Sequence, residues 1–409
     1  MRFPKLTDLD QDQARIYQGA PVVGTILVTG PPGTGKTVIA FHRAHRLKLQ
    51  KQEPKVMMYN KVLSRYASNR DGVATDVEVS TLHAWVRSWW KGITGQSTPP
   101  TQDPQGFVHD WEKIEAEAVQ VIVAKKKSGQ ISWGHIVIDE GQDFPAFMYA
   151  CMRTVMTMAN AQGISPAMAL TVLADENQRL QVNRNATLEE IRLNLGLHVS
   201  DKNVFNLRKN YRNSYEIAKF AANFYVGLKT GMPDFPKERK GGTLPVVSLA
   251  NFDSEGKNLN AFVEKIARYA RGHASEEIGV FVPKDKIRGK IVNRLQARFR
   301  DNEVVVQSYS SIDKELRAED LVFDEPGHIT VLNFPSVKGL EFDAVFIIDP
   351  GGVFSYGNSS ELNAKMSLYV MSSRARTYLN LMLVEDDLSK KILGWLPEKA
   401  GNYELEKIK

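Results

Sequence analysis

Short apolar runs alternate along the chain with stretches whose apolar residues recur every three to four positions. The runs read as strands: Thr25–Thr29, Lys55–Tyr59, His135–Asp139, Leu170–Asp175, Ile278–Pro283, Glu303–Gln307, Ile329–Phe334, Ala344–Asp349 and Tyr378–Val384. Most are rich in Val, Ile and Leu and alternate only weakly, the pattern of strands covered on both faces. Strands separated by helical patterns build α/β domains with mostly parallel sheets. No repeat or low-complexity tract interrupts them. Two polar loops stand out, one over about 91–104 with a Pro-Pro pair, the other over 231–242 with two prolines and the basic stretch Lys237-Glu238-Arg239-Lys240. Neither is rich enough in Gly and Ser to act as a free linker. A division near residue 205 suits the motifs below better than a division at either loop, giving domains 1–205 and 206–409.

Composition narrows the class. A length of 409 residues, 24% charged and 43% hydrophobic, is that of a folded chain of two or three domains, neither disordered nor fibrous. Fifty-three basic against forty-seven acidic residues give a net charge of +6. That excess permits a nucleic-acid groove without demanding one. The single cysteine, Cys151, excludes an intrachain disulfide and a CxxC zinc site. The histidines are scattered and show no ligand spacing. No apolar run approaches the roughly 18 residues a membrane span needs, and Met1-Arg2-Phe3-Pro4-Lys5 lacks an apolar signal core. The expectation is a cytoplasmic chain with no membrane partner.

The strongest local signal is Gly30-Pro31-Pro32-Gly33-Thr34-Gly35-Lys36-Thr37, which fits G-x-x-x-x-G-K-[ST] at every fixed position, after a strand and before a helix. Glycines let successive backbone N–H groups converge on phosphate oxygens, and the helix N-terminus adds favourable potential. Lys36 is placed to reach the β- and γ-phosphates of a nucleotide, and the Thr37 hydroxyl to ligate Mg²⁺. A second carboxylate site follows. The apolar strand His135-Ile136-Val137-Ile138 ends in Asp139-Glu140. Asp139 would hold Mg²⁺, and Glu140 would polarise the attacking water.

Asp139-Glu140-Gly141-Gln142-Asp143 resembles motif II of superfamily 1 helicases, specifically the UvrD/Rep/PcrA-like group (superfamily 1A), and further strings fall in that family's order across nearly the whole chain. Leu9-Asp10-Gln11-Asp12-Gln13 resembles the Q motif, which implies that Gln13 reads the adenine edge. Met58-Tyr59-Asn60-Lys61 resembles motif Ia and Ser80-Thr81-Leu82-His83 motif Ib. Leu173-Ala174-Asp175-Glu176-Asn177-Gln178 resembles motif III, with Gln178 sensing the γ-phosphate. Asn210-Tyr211-Arg212 is similar to motif IV, implying that Tyr211 stacks on the base and Arg212 contacts the γ-phosphate. Val337-Lys338-Gly339-Leu340-Glu341-Phe342 is similar to motif V, with Glu341 near the ribose. Tyr369-Val370-Met371-Ser372-Ser373-Arg374-Ala375-Arg376 is similar to motif VI, with Arg374 as the second arginine on the γ-phosphate. The resemblance implies two RecA-like P-loop NTPase lobes of parallel sheet that close on Mg-ATP. Tyr59, Asn60, Lys61, His83 and Phe334 fall where the family contacts nucleic acid.

The chain also departs from the family. Motif III continues as Arg179-Leu180-Gln181-Val182-Asn183, without the aromatics that stack on single-strand bases. The motif V histidine position holds Pro335, beside Phe334, and the motif Ia aromatic is displaced to Tyr59. Base stacking is worth roughly 1–3 kcal/mol per base, so these losses bear on grip of the strand and not on ATP chemistry. After motif Ib, Trp85, Trp89 and Trp90 with Arg87 among them form either a stacking platform or one buried helix face. The interval from His83 to Asp139 leaves room for a small helical 1B-like insertion, about 90–128. The interval from Arg212 to Lys338 leaves a 2B subdomain absent or vestigial. Two basic clusters, Lys125-Lys126-Lys127 and Lys284 to Arg298, offer phosphate contacts or ordinary solvated surface. The expected activity is ATP-dependent translocation on single-stranded nucleic acid, DNA ahead of RNA, 3′ to 5′. The rival is a nucleic-acid-sensing regulatory ATPase that controls a partner such as a nuclease.

Overall fold

The computed structural model describes residues 4–58, 77–124, 131–178, 185–228, 230–236, 243–251, 257–299, 304–310, 313, 315–323, 325–355 and 360–408. The chain divides into two compact units: Phe3–Pro31 with Gly35–Leu207, and Pro32–Thr34 with Arg208–Lys409.

The N-terminal unit carries β1 (Gly24–Thr29), β2 (Pro54–Met58), β3 (Glu78–Thr81), β4 (His135–Ile138), β5 (Ala169–Ala174) and β6 (Val204–Asn206) in the order β3-β2-β4-β5-β1-β6. Every pairing is parallel. All residues of β4 and β5 are buried, as their continuous apolar runs foretell. Around the sheet lie α1 (Gln11–Gly19), α2 (Lys36–Leu49), α3 (Leu82–Thr94), α4 (Trp111–Val123) and α5 (Ala146–Ala161).

The tryptophans of α3 resolve in favour of the core. Trp85, Trp89 and Trp90 are all buried, which rules out a stacking platform. The Trp85 and Trp89 rings stack at 5.6 Å, and Trp133 packs edge-on against both at 5.8 and 5.5 Å. The Trp89 indole N–H donates to the Ile131 carbonyl at 3.0 Å, so the polar edge of that ring is satisfied inside the core. Each such indole contributes about 4–6 kcal/mol of gross transfer free energy. In the region expected to hold the small insertion, α3 leads to a hairpin in which Thr101 bridges His109 antiparallel. Asp110 then caps α4 by accepting from the Lys113 N–H. Trp111, Ile114, Ala118 and Ile122 of α4 join the same core as Trp85 and Trp89.

The C-terminal unit carries β7 (Val246–Ala250), β8 (Ile278–Val282), β9 (Val305–Ser308), β10 (His328–Asn333), β11 (Phe342–Ile348), β12 (Ala375–Val384) and β13 (Glu404–Ile408), ordered β13-β7-β12-β11-β8-β10-β9. It too is parallel throughout. Phe262, Val263 and Ile266 of the helix Lys257–Gly272 cover one face of it. From β9 to β10 the described residues hold one 3-10 turn, Ala318–Asp320. The expected strands are all present. Four more, β3, β6, β7 and β13, complete the sheets. Two parallel-sheet α/β domains are the architecture of a pair of RecA-like lobes. Among the described residues no helix is long and apolar enough to cross a membrane.

Candidate nucleotide site

In the N-terminal unit the P-loop leaves the end of β1, where the Gly30 N–H donates to the Ala174 carbonyl of β5. Gly33 and Gly35 take left-handed φ values of +80° and +82°, which a side chain would strain. Gly35 caps α2, and the first-turn amides of that helix lack intrahelical acceptors, as phosphate binding requires. The Lys36 ammonium is turned back into the loop. It donates to the carbonyls of Gly30 (2.6 Å) and Pro31 (3.0 Å) and lies 3.8 Å from an Asp175 carboxylate oxygen.

Thr37 and Asp139, far apart in sequence, meet directly. The Thr37 hydroxyl donates to Asp139 Oδ2 at 2.8 Å. Asp139 is completely buried, and its Oδ1 has no hydrogen-bond partner among the described residues. Burial pushes this carboxyl above its ordinary range. The Glu140 charge adds to the rise, while Thr37 and Lys36 oppose it. A buried carboxylate oxygen without a donor, beside a hydroxyl, is a hard-oxygen pair that Mg²⁺ suits. The residues present therefore fit the metal.

Glu140 sits at φ +55°, a costly left-handed conformation for a side-chain-bearing residue. A glutamine absent from the expected site residues holds it there. Gln142 Nε2 donates to Glu140 Oε2 at 2.6 Å, and Gln142 Oε1 accepts the Asp175 N–H at 2.8 Å. Beneath it, the Tyr149 hydroxyl donates to the Gly141 carbonyl. A Cβ on Gly141 would fall 2.6 Å from Val172 Cγ1, so glycine is required for close approach. Gln13 is buried in a reciprocal cap with Asp10. Its amide nitrogen lies 2.5 Å from where a Cβ on Gly35 would stand, which places Gln13 against the P-loop.

In the C-terminal unit, the Arg212 guanidinium forms an ion pair with Glu341 and donates to the Ser373 carbonyl at 3.4 Å. Glu341, expected near a ribose, is thus engaged with Arg212, and Arg376 lies 3.9 Å from its second oxygen. Arg374 is buried and donates to the carbonyls of Val370 (3.0 Å) and Leu340 (3.4 Å). The Tyr211 ring lies under the Lys209 ammonium at 4.8 Å. The Tyr211 N–H donates to the carbonyl of Gly33, which clusters with this unit, and Asn210 lies against the same glycine.

Of the residues expected to touch nucleic acid, His83 is exposed at the start of α3 and its Nδ1 lies 3.0 Å from His109 Nε2. Phe334 is only 6% exposed, and burial leaves its ring little face for a base. Tyr59, Asn60 and Lys61 lie outside the described residues, as do Lys125, Lys126, Lys127 and the Gln178 side chain. The residues that sequence reasoning missed are Gln142, Asp175 and His109. Gln142 and Asp175 stood inside quoted motifs, but only the tertiary structure shows what they touch.

Residues 13–184 match the AAA_19 family, described as an AAA domain. No curated protein matches the sequence. Among solved structures, the DUF1998 helicase MrfA bound to DNA and AMPPNP aligns with a TM-score of 0.52 at 10% identity, over 94% of this chain and 50% of that one. The DEAD-box helicase Mss116 bound to ssRNA and UDP-BeF aligns at 0.51 and 13% identity, over 98% and 75%. The C-terminal domain of a possible DNA helicase from Lactobacillus plantarum WCFS1 is 23% identical over 48% of this chain and 98% of its own, with a TM-score of 0.31.

Proposed function

We infer that this chain, a helicase-type P-loop ATPase of superfamily 1, is a translocase that moves 3′ to 5′ along single-stranded DNA by hydrolysing ATP. The observation that carries the reading is the meeting of Thr37 with Asp139, whose second oxygen has no hydrogen-bond partner among the described residues, within electrostatic reach of Lys36. A simple binding module has no use for that set.

The work divides among the chain's own residues. The P-loop amides and Lys36 bind the phosphates, and Gln13 and Tyr211 take the base. Thr37 and Asp139 hold Mg²⁺, which when bound neutralises phosphate charge. Glu140, oriented by Gln142, accepts a proton from the attacking water. Arg212 and Arg374 neutralise the charge that develops on the γ-phosphate, and they must leave Glu341 and the backbone carbonyls to do so. Closure of the two halves on ATP and their release after hydrolysis would step the protein along a strand.

The deciding measurement is ATP hydrolysis with and without single-stranded DNA, on the parent and on Glu140→Gln. The expected result is DNA-stimulated turnover in the parent and its loss in the variant; equal rates in both overturn the reading. A second reading, a regulatory ATPase that senses nucleic acid and controls a partner such as a nuclease, draws support from the burial of Phe334 and of the α3 tryptophans. A translocase displaces streptavidin from a biotinylated single strand; a sensor hydrolyses ATP and leaves the block in place.

A further inference from the structure

The hairpin between α3 and α4 exposes an aromatic ring. Phe107 is 72% exposed, beside the exposed Val108. Scattered exposed apolar residues are ordinary, so the surroundings must decide. The hairpin is tied down at each level. The Gln102 N–H donates to the Val108 carbonyl at 2.8 Å, and the Asp110 N–H to the Pro100 carbonyl at 3.0 Å. The acid of the hairpin, Asp103, is consumed internally: its carboxylate accepts the N–H groups of Phe107 (3.1 Å) and Val108 (2.5 Å). The buried His109 then pins the hairpin to the first turn of α3 through His83, with its own ring edge-on to Trp111 at 5.5 Å. Two residues of chain, at most about 7 Å, separate Phe107 from that anchor.

The face of α3 beside the anchor is cationic. Arg87 and Lys91 follow the anchoring His83 at intervals of four residues, both exposed, while Trp85, Trp89 and Ile93 turn inward. Successive members are about 6 Å apart along the helix. The helix contains no acidic residue. Among the described residues neither Arg87 nor Lys91 takes part in an ion pair. Two cations outside any ion pair among the described residues, beside a rigidly held aromatic, are the combination by which proteins hold single strands, cations tracking the backbone and rings taking bases.

We propose that Phe107 stacks on a base of single-stranded DNA whose phosphates run along Arg87 and Lys91. The pairing supplies a stacking residue in a chain whose motif III lacks aromatics. It rests on the single-strand reading above and extends it to residues outside the helicase motifs.

The test is binding of the full-length protein to a fluorescein-labelled oligodeoxythymidylate, followed by anisotropy across a salt series. Phe107→Ala is expected to lower affinity about 5- to 150-fold and Phe107→Trp to retain it within about threefold. Stacking is not ionic, so the slope of log affinity against log salt stays unchanged in Phe107→Ala. Arg87→Gln and Lys91→Gln are each expected to reduce that slope by about 0.7. DNA-free ATP turnover and the melting temperature report that the exposed substitutions leave the fold intact. If the parent binds and Phe107→Ala binds equally well, this inference fails while the functional reading stands. A parent that binds no single strand overturns both.

Discussion

Gln142 offers the sharpest test of how the buried carboxylates are arranged, because its amide makes two different bonds that two substitutions separate. Its nitrogen donates to Glu140 and its oxygen accepts the Asp175 N–H. Gln142→Ala removes both and leaves a buried backbone donor unsatisfied, which costs about 1–3 kcal/mol. For a protein of this size that is several degrees of melting temperature. Gln142→Glu keeps an acceptor for the Asp175 N–H and removes the donor to Glu140, placing two carboxylates where a hydrogen bond stood. A hydrogen bond to a charged group contributes about 1.5–3 kcal/mol, so misdirecting Glu140 is expected to slow turnover by about 10- to 100-fold. Nucleotide affinity changes little, since neither variant touches the P-loop. The assays are steady-state ATP hydrolysis, equilibrium binding of a fluorescent ATP analogue, and thermal unfolding. Full activity in Gln142→Glu would refute the claim that this amide aims Glu140; an unchanged melting temperature in Gln142→Ala would refute the account of the Asp175 N–H.

Further substitutions probe the other contacts. Glu140→Gln is expected to lower turnover about 10²- to 10⁴-fold with ATP binding retained, read by single-turnover hydrolysis. Asp139→Asn is expected to raise the Mg²⁺ concentration needed for half-maximal turnover, and chelation of Mg²⁺ to abolish hydrolysis by the parent; a flat Mg²⁺ response would remove Asp139 as a ligand. Arg212→Met removes the nearer of the two arginines beside the buried Glu341 carboxylate, leaving Arg376, and is expected to cost about 1–3 kcal/mol. Adding Glu341→Gln restores the melting temperature but not the turnover, whereas recovery of both would make Arg212 purely structural. Burial, reinforced by Arg43, pushes His135 down to about 3. The unfolded chain then binds the extra proton, and stability falls as pH drops from about 6.5 toward that value. His135→Gln is expected to flatten that acid limb in melting temperature against pH; an unchanged limb would acquit His135.

What could be read in the sequence is what local chemistry dictates. The P-loop is legible because φ values of +80° and +82° at Gly33 and Gly35 admit little but glycine. The strands β4, β5 and β8 are legible because burial on both faces leaves unbroken apolar runs. The strand β6 is three residues of mixed polarity, and β13 reads Glu-Leu-Glu-Lys-Ile, charged as edge strands are to avoid unwanted pairing. Neither resembles a core strand. The i, i+4 spacing of Trp85 and Trp89 foretells a shared helix face but not what covers it; Trp133, on a distant segment, settles that. The links Gln142–Asp175, Arg212–Glu341 and His83–His109 join residues 33, 129 and 26 positions apart, and no local pattern encodes them.

The charged groups proposed to meet the triphosphate share one feature that bears on mechanism. Each charged group assigned to the triphosphate already has partners within the protein: Lys36 on two carbonyls and Asp175, Arg212 on Glu341 and Ser373, Arg374 on the carbonyls of Leu340 and Val370. Nucleotide binding therefore exchanges partners and does not fill bare charges. The free energy available to drive a conformational step is the difference between the two sets, smaller than either set alone. Such an exchange suits a motor. A site whose internal pairs were absent would grip ATP and its products alike, whereas internal competitors let the products go once the γ-phosphate charge has left. Weakening a competitor without touching the phosphate ligand, as Glu341→Gln does for Arg212, is accordingly expected to tighten binding of a non-hydrolysable ATP analogue and to leave ADP, which lacks the γ-phosphate, unaffected. If Glu341→Gln left the affinity for the ATP analogue unchanged, the competition would have no part in nucleotide binding.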